Sequence, residues 1–190
     1  ALVGAAEETT SGLRPLRSFD LRIPVMASND ARSKTLFDNA YGTGQSCWTT
    51  ILDLIDPRGV GAPVAGMSIV VIGYGDVGRG CARFGAALGA RVTVVELDPV
   101  RALQASMDGF AVASLEEAAA SAGMLISATG ERSTIPLSAL EAAPDGAIVT
   151  VAGGVDGEVS IDEAVAASWI MAESGDPHVQ ALTSPSGKTL

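Results

Sequence analysis

From Met67 onward the chain alternates short, continuous apolar runs with longer amphipathic stretches. The runs at 68–72, 91–96, 111–113, 124–127, 147–151 and 169–171 predict strands, and the intervening patterns predict helices at 76–88, 99–107, 115–122, 136–142 and 161–166. Pro99 suits a first helical turn, and Ser114 is a plausible N-cap. The runs are mostly apolar, with Arg91, Thr93 and Glu96 the main exceptions, so both faces of most strands are expected to be covered. Strands of this kind alternating with helices predict βαβ units and a doubly wound parallel α/β sheet with helices on both faces.

Before Met67 the pattern is less regular. Residues 1–43 hold the polar stretches Glu7-Glu8-Thr9-Thr10-Ser11-Gly12 and Asn29-Asp30-Ala31-Arg32-Ser33-Lys34. Between them, 21–26 predicts an edge strand, the place where Pro24 is tolerated. Residues 44–55 predict a helix that runs into a loop containing Pro57, Gly59, Gly61 and Pro63. At the other end, 179–190 predicts a hairpin turning at Pro185-Ser186-Gly187. The regular domain is therefore expected over 44–175, followed by a hairpin or return segment over 176–190. The start at Ala1, and the end at Leu190 just as a strand begins, suggest part of a longer polypeptide.

With 47% apolar residues in 190, the chain can supply a substantial core. Its formal net charge of −10 argues against a nucleic-acid or anionic-membrane surface. No run of 18 apolar residues or secretory leader is seen, so no membrane partner is expected. Cys47 and Cys81 lack metal-ligand spacing; no metal is expected, and reduced thiols point to the cytoplasm.

Candidate chemistry begins at Gly73-Tyr74-Gly75-Asp76-Val77-Gly78, which follows the 68–72 run and opens the 76–88 helix. Gly73 permits a tight turn, Gly75 a close backbone approach to a pyrophosphate, and Gly78 close helix–strand packing. The free N–H groups at that helix N-terminus, Asp76 and Val77 among them, would face the phosphates. Glu96 ends the next strand, placed to accept hydrogen bonds from the adenosine ribose. No arginine follows it directly, which favours NAD over NADP. Strand, glycine loop, helix, second strand and acid occur in order and predict a Rossmann-type NAD-binding domain; a glycine-rich turn without a nucleotide is the alternative.

Four segments extend the pattern: Glu7-Glu8-Thr9-Thr10-Ser11-Gly12; Asn29-Asp30 through Lys34 to Phe37-Asp38-Asn39 and Tyr41-Gly42-Thr43-Gly44-Gln45-Ser46; Gly73 through Ala82; and Glu96-Leu97-Asp98-Pro99 with Ala102-Leu103-Gln104-Ala105. In order and spacing they resemble the cofactor domain of the S-adenosyl-L-homocysteine hydrolase family. The resemblance implies a resident NAD that transiently oxidises the substrate ribose at its 3′-hydroxyl, so that homocysteine leaves by elimination and water adds. It implies Lys34 acting at that hydroxyl, Asp38 binding the ribose hydroxyls and orienting Lys34, Asn29 beside them, and Glu8 near the adenosine end. It implies cofactor contacts from Thr9, Thr10, Ser11, Asn39, Thr129 and Gly130. It also implies that 1–43 links to a substrate-holding domain, and that the protein is a dimer or tetramer acting on a small nucleoside. Taken alone, Lys34 and Asp38 are spaced as an ordinary i, i+4 ion pair.

The sequence departs from the family mildly at Ser11, which replaces a threonine and keeps its hydroxyl, and more seriously in one segment. Where the family has N-x-G-H-F-D, this chain has Val151-Ala152-Gly153-Gly154-Val155-Asp156, so Gly154 stands for the histidine and Val151 for the asparagine. The one histidine, His178, lies outside these motifs and reads as a surface residue. Three readings stay open: a hydrolase of S-adenosylhomocysteine or a related nucleoside, a non-catalytic NAD-binding module, and an NAD-dependent nucleoside oxidoreductase lacking the hydrolytic steps.

Overall fold

The computed structural model describes residues 1–61 and 63–190. A short parallel pair, β1 (Ala5–Glu7) and β2 (Val25–Ala27), flanks α1 (Thr10–Leu16). Pro24 sits just ahead of β2, where its missing N–H is harmless and its carbonyl accepts from Ala5 N–H at 3.0 Å. A 3₁₀ turn (Ser28–Asp30) and a single turn α2 (Arg32–Lys34) lead into a nine-residue π-helix, Thr35–Thr43, which continues as α3 (Gly44–Ile55).

The central sheet follows, with β3 (Ser68–Ile72), α4 (Asp76–Ala87), β4 (Arg91–Val95), α5 (Pro99–Met107), β5 (Ala111–Val112), α6 (Leu115–Ala119), β6 (Met124–Ser127), α7 (Leu137–Ala142) and β7 (Ile148–Val151). All five strands are parallel, in the order β5-β4-β3-β6-β7. Residues alternate between two cores. Val70, Ile72 and Leu125 face one cluster with Ala119 and Leu140, while Ile69, Val71, Met124 and Ile126 face another with Trp48, Cys81 and Ala105. The expected doubly wound sheet with helices on both faces is present, most strand ends lying within a residue of the pattern. The helix expected over 115–122 stops at Ala119.

One predicted strand has a different role. The run at 169–171 becomes β8 (Ile170–Glu173), which follows α8 (Ile161–Ala166) but pairs antiparallel with β9 (Gln180–Thr183), outside the main sheet. A short turn joins the two, and a short turn permits only antiparallel pairing, since a parallel partner needs a crossover. The expected terminal hairpin is present: Leu182 and Leu190 exchange backbone hydrogen bonds around the 184–187 turn. Lys188 from this hairpin donates to the carbonyls of Leu140, Glu141 and Ala143 at 2.6, 2.7 and 2.9 Å, closing the C-terminal end of α7.

The amino-terminal segment is clamped to α4 by close backbone approach. A Cβ on Gly44 would lie 2.7 Å from the Gly80 carbonyl carbon, and one on Gly80 would lie 2.4 Å from the Ala40 oxygen. Trp48, buried, donates its indole N–H to Cys81 O at 2.8 Å. The same crossing joins the two free cysteines. Interaction with Cys81 holds the half-buried Cys47 thiol below its usual pKa, while Cys47 and burial push the Cys81 thiol up. Iodoacetamide should therefore label Cys47 in the native protein over a pH range below that of an ordinary thiol, with the buried Cys81 spared. Peptide mass mapping across that range checks this, and equal labelling of both thiols would contradict it.

Candidate NAD site and ribose-facing cluster

The sheet order reverses direction between β3 and β6, so a crevice opens there beyond the carboxyl ends of the strands. The glycine loop lies on this crevice. Gly73 has φ +92°, a left-handed turn that a side chain would strain. A Cβ on Gly78 would lie 1.9 Å from Gly73 O, so loop and helix touch backbone to backbone. Gly75 differs from both: its backbone is extended, and a Cβ there would meet nothing nearer than Arg101 Nη1 at 3.8 Å. The space beside Gly75 is open, with a guanidinium at its edge.

The first turn of α4, with Asp76 and Val77, has no side-chain cap, whereas Asp98 caps α5 and Ser114 with Glu117 forms a capping box on α6. An uncapped helix N-terminus opening on free space beside a glycine fits a pyrophosphate. Tyr74 fixes the loop from below: its ring is buried and its hydroxyl donates to Asp108 Oδ2 at 2.8 Å. Burial first, and then that carboxylate, push the phenol pKa upward, so it stays a donor.

Glu96 lies where predicted, with a second task the sequence did not reveal. Its Oε2 accepts from Tyr74 N–H at 2.7 Å, and its Oε1 accepts from Leu97 and Asp98 N–H at 2.7 and 2.9 Å. Glu96 thus braces the glycine loop and retains lone-pair capacity for a ribose hydroxyl.

The predicted ribose-facing residues form one cluster. Lys34 Nζ donates to Asn39 Oδ1 at 2.6 Å and Asn29 Oδ1 at 3.2 Å, and lies 3.3 Å from Asp38 Oδ2. Asn29 and Asn39 are buried, and Asn29 Nδ2 donates to Thr10 Oγ1 at 3.2 Å. The contact with Asn39 is i, i+5, the spacing a π-helix aligns, so an α-helical reading of the sequence could not supply it. Thr9 is the N-cap of α1, accepting from Gly12 N–H at 3.0 Å while its hydroxyl donates to Glu7 Oε1 at 2.5 Å. That bond holds the Glu7 carboxyl below its usual pKa. Glu8 is exposed, and among the described residues no side-chain hydrogen bond joins it to the cluster.

Ser11 and Arg14 carry α1 across to the other side of the crevice. Arg14 pairs with Glu131 just past the Thr129-Gly130 turn, and Ser11 Oγ lies 3.2 Å from where a Gly154 Cβ would stand. Gly130 has φ +64°, and the Thr129 hydroxyl accepts from Glu131 N–H at 3.1 Å. The glycine at the histidine position is not enforced by packing, because a rotation of Ser11 would relieve the contact. Gly154→His should fold with a melting temperature within about 4 °C of the parent, as expected for a change of under about 1 kcal/mol; a loss of cooperative unfolding would contradict this. His178 is exposed and borders a groove of about 520 Å³ lined by Ile55, Leu140, Ile148 and β9, which contains none of the predicted site residues.

Fold and crevice together define a dinucleotide-binding domain. Comparison with known proteins narrows it further: residues 39–190 match the family described as S-adenosyl-L-homocysteine hydrolase, NAD binding domain. The chain belongs to that family, and NAD is its cofactor. It is 42% identical to the adenosylhomocysteinase of Thermotoga maritima, an alignment covering 100% of this chain and 46% of that protein. It is 41% identical to the S-inosyl-L-homocysteine hydrolase of Methanosarcina acetivorans, over 85% of this chain and 39% of the relative. The chain thus spans less than half the length of these relatives. Among solved structures, a dipicolinate synthase from Bacillus halodurans superposes with a TM-score of 0.64 over 86% of this chain and 55% of that one, at 18% identity, a likeness of fold alone.

Proposed function

We propose that this domain works within a longer polypeptide as the cofactor-holding part of an enzyme that cleaves the thioether of a nucleosidyl homocysteine, S-adenosyl- or S-inosylhomocysteine, by transient oxidation at ribose C3′. The observation that carries the reading is Lys34 Nζ held among Asn29, Asn39 and Asp38. A pure cofactor holder gains nothing from fixing an amine there. NAD supplies the reversible hydride acceptance. Lys34 moves the proton of the 3′-hydroxyl, Asp38 holds the ribose hydroxyls and orients Lys34, and Asn29, fixed by Thr10, keeps the amine in place. Glu8 serves the adenosine end; Thr9, Thr10, Ser11, Asn39, Thr129 and Gly130 line the nicotinamide half, and Gly73–Gly78 with Glu96 the adenosine half.

In this reading residues 1–43 face a substrate-holding domain, 44–175 hold the dinucleotide and 176–190 begin a return segment. We also infer a cytoplasmic dimer or tetramer. The free thiols support the first part, and the exposed apolar stripe Leu97, Val100, Leu103 and Met107 at α5 supports the second.

Gly154 favours a second reading, in which oxidation occurs without thioether cleavage. Product analysis separates the two: incubation with S-adenosylhomocysteine should release a free thiol, whereas a keto-nucleoside accumulating without thiol would favour an oxidoreductase.

A further inference from the structure

Glu158 lies outside every motif described above, yet it is a buried carboxylate at 1% exposure. Its Oε2 accepts from Ser127 Oγ at 2.5 Å and from Thr129 Oγ1 at 3.1 Å. The Thr134 hydroxyl joins the same group, 2.8 Å from Ser127 Oγ. Among the described residues its Oε1 has no hydrogen-bond partner. That oxygen is pressed against the turn after β7, where a Cβ on Gly153 would lie 1.7 Å away. The backbone around Glu158 is itself fixed: Ser133 N–H donates to Gly157 O at 2.7 Å and Ile135 N–H to Glu158 O at 2.9 Å.

We propose that Glu158 is a positioning residue for the nicotinamide half of the cofactor site, locking the turn after β6 to the turn after β7. The inference rests on the cofactor reading above, and the sheet gives it direction. A dinucleotide lying across the reversal point has its adenosine ribose at Glu96 on the β4 side, so its other half must extend toward β6 and β7. Two turns meet it there, Thr129-Gly130 and Gly153-Gly154, and Glu158 touches both. Through the Thr129 hydroxyl it sets the height of Gly130. Through Gly153 it sets Gly154 opposite Ser11.

An apolar residue would fill this interior at less cost than a carboxylate with one unpaired oxygen. Two hydroxyls converging on the other oxygen give the group its directional purpose. A side chain at Gly153 would have to displace the Glu158 carboxylate from this place, a constraint that sequence spacing alone did not disclose.

The test uses nucleotide-free full-length protein titrated with NAD and with ADP-ribose, which lacks the nicotinamide. For Glu158→Gln, NAD affinity should fall by about tenfold or more, the scale of losing a supporting partner behind a contact residue, while ADP-ribose affinity stays within about twofold. Ser127→Ala, a smaller change, should shift the same ratio in the same direction and carries the test if Glu158→Gln does not fold. Equal weakening of both nucleotides, or no change in either, overturns the proposal, since a merely structural role would not separate them. Wild-type protein that binds neither nucleotide overturns the cofactor reading itself.

Discussion

Replacing Gly75 with valine should leave the apo domain folded and abolish NAD binding. Gly75 sits in extended backbone that any residue adopts, and the space where its Cβ would stand holds nothing closer than Arg101 at 3.8 Å. The apo melting temperature should move by no more than about 4 °C, the scale for a change near 1 kcal/mol in a domain of this size. That open space is where the pyrophosphate must approach the uncapped first turn of α4. Valine fills it and holds the phosphates off the N–H groups. NAD affinity should fall at least about a hundredfold, which at 1.4 kcal/mol per tenfold is about 2.8 kcal/mol. Calorimetric titration beside a thermal melt separates the two effects. Retained affinity in a folded variant would mean that the cofactor does not lie along this loop.

Lys34→Ala should have the opposite signature. Lys34 is assigned to the substrate ribose, and the adenosine half of the dinucleotide to Gly73–Gly78 and Glu96, so NAD affinity should change by no more than about threefold, under 1 kcal/mol. Reduction of bound cofactor on adding a nucleoside should fall by about 10² to 10⁴, the range for a positioned acid–base group. The substitution also leaves the side-chain oxygens of the buried Asn29 and Asn39 without their common donor. A stability loss of roughly 1–3 kcal/mol should accompany it. Stopped-flow absorbance beside a denaturation curve distinguishes the chemical effect from the structural one. Wild-type cofactor reduction in the variant would remove Lys34 from its assigned role.

The βαβ unit from Ser68 to Val95 was legible because its signals are local. A doubly buried strand reads as an unbroken apolar run, and Gly73 and Gly78 occupy places that backbone contact reserves for glycine. The Lys34 cluster was legible only through resemblance. Its geometry depends on a π-helix, whose i, i+5 register leaves no distinctive hydrophobic period, so the sequence suggested the Asp38 pairing and missed Asn39 as the closer partner. β8 was misplaced because a short apolar run carries no information about its partner; the brief turn to β9 decided the pairing. Glu158 was invisible for a related reason. A lone acid in a polar loop resembles any solvated residue, and its burial arises from contacts with Ser127, Thr129 and Gly153, at least five and up to 31 positions away in sequence.

The most direct measurement follows the near-ultraviolet band of reduced nicotinamide in full-length protein carrying bound NAD, as S-adenosylhomocysteine or its inosyl counterpart is added. A rise in that band, stoichiometric with bound cofactor and absent in Lys34→Ala, is the expected result. Substrate that binds while the cofactor stays fully oxidised would contradict oxidation at ribose C3′, and with it the role of the Lys34 cluster.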